Sequence, residues 1–132
     1  MKIPFLDQVV ELERGEAHEL QHVVGNVCFQ VMDTLQAEYP APLPAGLLLA
    51  FPVLRRLVTR LGKVAQQEFF RVGRPRQPPV RFRLSYEELV ALMLYVQPQA
   101  TSAFVVLGKV HQKSLNLEPW IRWPAAGPAF AH

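Results

Sequence analysis

Residues 16–38, EAHELQHVVGNVCFQVMDTLQAE, are the stretch on which the fold turns. Leu20, Val23, Val24, Val27, Cys28, Val31 and Leu35 recur at the spacing of one helical face. His18, His22, Asn26 and Asp33 fall on the opposite side. This period predicts a long amphipathic helix. A β-hairpin through 9–24 is the competing reading, but it needs a strict apolar alternation that is poor there.

Towards the N-terminus, Pro4 suits a first helical turn, and Phe5, Leu6, Val9 and Val10 follow at helical spacing. Gly15 then ends a short helix, or bends a single long one, because both apolar sets fall on the same side of a common wheel. Towards the C-terminus, Pro40, Pro42 and Pro44 predict an extended connector. Leu47–Phe51 is apolar throughout and reads as buried. A second helix is expected from Pro52. Its inward stripe is Leu54, Leu57, Val58, Leu61, Val64, Ala65 and Phe69, and Arg56, Arg60, Lys63 and Gln67 line its other face. Gly73 and Pro75 stop it.

Val80, Phe82 and Leu84 alternate with Arg81 and Arg83, which predicts a short extended segment. Ser85 and Glu88 then form a capping box, with Leu84 and Leu89 at the staple positions. Leu89, Val90, Leu92, Met93 and Val96 bury that helix, and Pro98 ends it. Thr101 or Ser102 caps a last helix through about Lys113, with Ala103, Leu107 and Val110 inward. Residues 119–132, with Trp120 and Trp123 among prolines, read as an extended tail that packs in part. The expected fold is one all-α domain over residues 1–132, a compact and partly orthogonal bundle of four to five helices joined by proline-rich connectors.

Composition narrows the class. Half of the 132 residues are apolar and 19% are charged, against ~25% in an ordinary soluble domain, which fits a folded chain that hides surface in its core or in an oligomer. Cys28 is the single cysteine, so no internal disulfide can form. Acidic residues stand too early in the N-terminal segment for a signal peptide, and the most apolar run, Pro44–Leu54, is about half the ~20 residues that span a bilayer. A cytoplasmic protein without membrane insertion is the expectation.

One motif invites an enzymatic reading. His18-Glu19-Leu20-Gln21-His22 matches H-E-x-x-H and resembles the zincin signature, in which two histidines one turn apart hold zinc and the glutamate is general base. Gly25 also falls where the longer metzincin pattern has glycine, but its third ligand position is Cys28. The resemblance covers about eleven residues and implies a small zinc-dependent hydrolase. Against it, the helix turns both histidines away from its apolar stripe, and Cys28 is rotated from them by about 120°. Glu38 is too far along the same helix to be a ligand, and His111 reads as a surface histidine near a helix end. Ser85 reads as a cap and Cys28 as an inert core thiol. No cofactor motif is present.

Charge is laid out unevenly. Residues 1–45 hold seven acidic side chains against Lys2 and Arg14, whereas residues 46–83 hold nine basic ones against Glu68. Arg56, Arg60, Arg71, Arg74, Arg76, Arg81 and Arg83 make an arginine-rich face, several of them beside a proline-stiffened loop, with Phe70 and Phe82 interleaved. Arginine suits bidentate contact with carboxylate or phosphate. Three functions follow, in order. The first is a non-enzymatic interaction protein that meets an acidic protein surface or itself, as in a homodimer, with its arginines satisfied by the acidic first helix of its own or a neighbouring chain. The second is a module binding nucleic acid or a phosphorylated ligand through the same arginines. The third is the zinc hydrolase.

Overall fold

The computed structural model describes residues 6–39, 41–70, 78–96 and 103–122. They form a mostly helical fold with a small two-stranded sheet. In chain order these are β1 (Gln8–Leu12), α1 (Glu16–Gln36), α2 (Ala45–Phe70), β2 (Val80–Leu84), α3 (Tyr86–Tyr95) and α4 (Phe104–Ser114), followed by a 3-10 turn at Leu115–Leu117.

The strictly all-helical expectation is corrected at its first element. Residues 8–12 are a strand, neither a short helix nor the start of a bent long one, and no hairpin runs through 9–24. β1 pairs antiparallel with β2, with Val10 opposite Phe82 and Leu12 opposite Val80. Val10, Leu12, Phe82 and Leu84 point into the core, and Glu11 faces Arg81 across the outer side. Four apolar residues in a short run fit either period, so the partner strand decides the conformation. Pro4 and Phe5 lie outside the described residues. Gly15 starts α1, at φ 87°, a left-handed conformation that suits glycine.

α1 and α2 form an antiparallel pair. At one end the Gly15 N–H donates to Glu68 Oε2 at 3.1 Å, and further along the Gln21 amide lies against Gly62. At the other end Val27, Val31 and Thr34 face Leu43 and Leu47. α3 packs on α2, α4 packs on α3, and α4 returns to β1 and α1. The shared core holds Leu20 and Val24 of α1, Leu54, Leu57 and Leu61 of α2, Leu89 and Leu92 of α3, and Val106, Leu107 and Val110 of α4.

α2 starts at Ala45, seven residues before the expected Pro52, which lies inside the helix. Proline removes one helical N–H, leaving the Leu48 carbonyl without its intrahelical donor. Leu48 and Pro52 are both exposed, so water reaches that carbonyl. The expected burial of Leu47–Phe51 is also corrected, because Leu48 and Leu49 are exposed. Leu35, expected on the α1 core stripe, is exposed as well, since α1 outruns the core that covers its first half. The capping box at Ser85 is complete in both directions, and Leu84 and Leu89 are buried at their staple positions. α4 begins at Phe104 with Ala103 as its cap residue. Pro40, Gly73, Pro75, Pro98, Thr101, Ser102, Trp123 and the rest of the tail lie outside the described residues. Ile121 packs against the core, whereas Trp120 is exposed.

Gly46, in the first turn of α2, meets α3 so closely that a Cβ there would collide with the Tyr95 hydroxyl, while the ring carbon behind it would stay at 3.5 Å. Gly46→Ala should therefore destabilise the fold by about 1 kcal/mol, the overpacking cost outweighing the gain in helix propensity. In a Tyr95→Phe background the same substitution should become neutral or stabilising. Urea unfolding of the four variants measures both effects.

Candidate functional site

Of the four described arginines that the sequence singles out, Arg56, Arg60 and Arg83 meet carboxylates of the same chain. Arg60, on α2, reaches the first turn of α3, where its Nη1 donates to Glu88 Oε1 at 2.5 Å and Oε2 at 2.6 Å. Its Nη2 donates to the Arg83 carbonyl of β2 at 2.5 Å. The guanidinium also stacks on Phe82, 4.6 Å from the ring centroid. Glu88 is only 4% exposed, and it accepts the Ser85 N–H at 3.0 Å as the returning half of the capping box. One buried carboxylate thus ties α2, β2 and α3 together, and its charge is compensated by the Arg60 guanidinium and by the Ser85 N–H.

Beside it, Arg83 Nη2 lies 2.8 Å from Asp7 Oδ2. Asp7 Oδ1 in turn accepts the Tyr86 N–H at 3.3 Å, so this carboxylate sits at the start of α3. Arg56 lies 3.7 Å from Glu87, with both side chains well exposed. Asp7, Arg56, Arg60, Arg83, Ser85, Tyr86, Glu87 and Glu88 line a cleft of about 460 Å³. Its three arginines face three carboxylates, so the charges balance. The Ser85 hydroxyl accepts the Glu88 N–H at 3.2 Å, which is the geometry of a cap.

Within the chain, Arg56, Arg60 and Arg83 meet Glu87, Glu88 and Asp7, not the acidic residues of α1. Glu16 instead binds Lys109 of α4 at 2.5 Å and accepts the Glu13 N–H at 2.6 Å. Lys109 also donates to the Glu11 carbonyl at 3.1 Å, clamping α4 to the end of β1. Arg81 is exposed on the outer face of β2, opposite Glu11. Arg71, Arg74, Arg76 and the Phe70 side chain lie outside the described residues. The partners Asp7, Glu87 and Lys109 were missed from sequence, since nothing in the local pattern ties them to residues many positions away. Glu88 alone carried a signal, as the capping-box acid.

His18 and His22 both lie on the exposed side of α1. Among the described residues, no group of three or more histidine, cysteine, aspartate or glutamate side chains is placed to hold a metal ion. Cys28 is half-buried, and burial pushes its thiol pKa up, with the Arg55 guanidinium pulling weakly the other way.

The second surface is apolar. At the far end of the α1–α2 pair, Phe29 (70% exposed), Met32, Leu35 and Tyr39 stand open beside Leu48 and Leu49 (79% exposed). From Val23 to Leu54 the chain carries two charged residues, Asp33 and Glu38. Among the described residues, no helix is long and apolar enough to cross a membrane. No protein-family model, curated protein or solved structure matches this chain.

Glu88→Ala should cost about 2–3 kcal/mol, because it strips Arg60 of its partner and opens the cap together. Ser85→Ala, which loses one cap bond, should cost about 1 kcal/mol. Denaturant midpoints rank the two. For Cys28, the pH at which alkylation reaches half its maximal rate should lie above the ~8.5 of a free thiol, because burial disfavours the thiolate.

Proposed function

We propose that the protein is a non-enzymatic interaction module, a compact helical bundle clasped by a two-stranded ribbon, which works by contact with another protein surface or with itself. The observation that carries this reading is the open apolar end of the α1–α2 pair, where Phe29, Tyr39 and Leu49 are largely exposed. Solvent-exposed apolar area on this scale favours contact with another surface. The arginine face contributes less free charge than the sequence alone implies, because Arg56, Arg60 and Arg83 face carboxylates of their own chain. Arg56 and Arg81 remain exposed and suit the rim of a contact with an acidic protein. The same internal pairing weakens the nucleic-acid reading, since a phosphate would have to displace Glu88 from Arg60 or Asp7 from Arg83. A zinc hydrolase would need a third ligand beside His18 and His22, and the described residues offer no such group.

A salt-titrated anisotropy measurement with random DNA and RNA tests this reading. Binding should be no tighter than ~10⁻⁵ M at physiological salt, the level of nonspecific attraction. Lysine-directed self-cross-linking should give a discrete adduct that persists at high salt, as an apolar contact does. Submicromolar nucleic-acid binding by a chain that does not cross-link to itself overturns the reading in favour of the nucleic-acid module.

A further inference from the structure

We infer that the apolar end of the α1–α2 pair is covered by the same end of a second copy of this chain, in a two-fold arrangement in which the two helix pairs cross face to face. This rests on the interaction reading above and names its partner.

The first argument is area. Phe29, Met32, Leu35, Tyr39, Leu48 and Leu49 are all exposed at one end of the molecule. Together they leave on the order of 700 Å² open, more than the ~300–600 Å² of the largest patch on a typical monomer and close to the ~800 Å² each partner contributes to a stable interface. On α1, Phe29 and Met32 lie on the side turned away from the buried Val24 and Val31, and on α2, Leu48 and Pro52 lie opposite the buried Leu54 and Leu61. The patch is thus the outer side of the helix pair.

The second argument is charge. The contacts of Gly15 with Glu68 and of Gln21 with Gly62 fix the register of the pair, which sets Leu35 level with Leu48 and Cys28 level with Arg55. Glu38, two residues past the end of α1, then lies towards the tip of the pair, and Arg55 lies on the side of the patch away from the tip. A two-fold axis lying in the plane of the patch, through its middle and at right angles to the line from Glu38 to Arg55, exchanges these two positions and lays the two helix pairs across each other. It therefore sets Glu38 of each copy over Arg55 of the other. Both side chains are exposed, and neither has an ion-pair partner among the described residues. Arg55 is already held flat on Phe51, 5.6 Å from the ring centroid, which fixes it at the edge of the patch. An isologous contact of this kind needs self-complementary surfaces, and an acid and a base on opposite sides of its centre meet that need. An anionic membrane fits less well, since the charges nearest the tip are Asp33 and Glu38.

Light scattering and sedimentation of the full chain between about 5 and 500 µM test the inference. Wild type should form a dimer. Leu48→Asp, at an exposed position and checked for native circular dichroism, should abolish it. Glu38→Arg and Arg55→Glu should each weaken it about three- to tenfold, as a charge pair turned repulsive does, and the double exchange should restore it. Alkylation of Cys28 should slow as the wild-type dimer forms, a readout that needs no variant. A wild-type chain that stays monomeric at 500 µM overturns the inference. So does a dimer that Arg56→Glu with Arg81→Glu dissolves and Leu48→Asp spares, and in that case the interaction reading survives through the arginine face. A monomer that co-sediments with phosphatidylserine vesicles through Leu48 makes the occupant a lipid surface and also overturns it.

Discussion

Arg60 and Glu88 hold the carboxylate that the rest of this fold is arranged around. Glu88 is nearly buried, and an isolated carboxylate there would cost several kcal/mol in lost hydration. Three features offset that cost. The Arg60 guanidinium reaches both of its oxygens, the Ser85 N–H donates to it, and α3 presents its positive end. Because Arg60 belongs to α2, and also binds a β2 carbonyl and stacks on Phe82, the same contact sets the crossing of α2 on the sheet and on α3. Asp7 and Arg83 repeat the device one step outward, joining the start of β1 to the end of β2.

This arrangement explains why an arginine-rich segment need not mean a surface for anions. Arginine is also the residue suited to tying elements together through a planar fork that meets carboxylates and backbone carbonyls at once. Here it does so where a two-stranded ribbon, marginal on its own, must be held against helices. Lys109 does the same at the opposite edge, with Glu16 and the Glu11 carbonyl. Asp7, Glu16, Arg60, Arg83, Glu88 and Lys109 are all engaged within the chain in this way.

The other half is built by different means. α1 and α2 pack on each other there and on Tyr95 at the end of α3, while the outer residues of the pair meet solvent. Few charges interrupt this region, and Pro52 interrupts one hydrogen bond only on the outward side. The described residues therefore divide into a half that carries the internal ion pairs and a half with open apolar side chains. The interaction reading and the dimer rest on the second half.

Much of the helical content was legible in the chain. The stripe from Leu20 to Val31, the stripe from Leu54 to Leu61 and the complete capping box at Ser85 are local signals that act within a few residues, so local reading finds them. The alternation of Val80, Phe82 and Leu84 likewise announced an extended segment. What only the tertiary structure decided is of another kind. Gln8–Leu12 is a strand because β2 lies beside it, and its own few apolar residues suit either period. Leu35, Leu48 and Leu49 are exposed because no other described element covers them, a fact of packing that hydropathy does not carry. Asp7 and Glu88 meet their arginines across 76 and 28 residues of chain, and whether an arginine is paired or free depends on those meetings. Charge content is a property of the sequence, whereas charge compensation is a property of the fold, because Coulombic and hydrogen-bond energies fall off over a few ångströms and only the folded chain sets those distances.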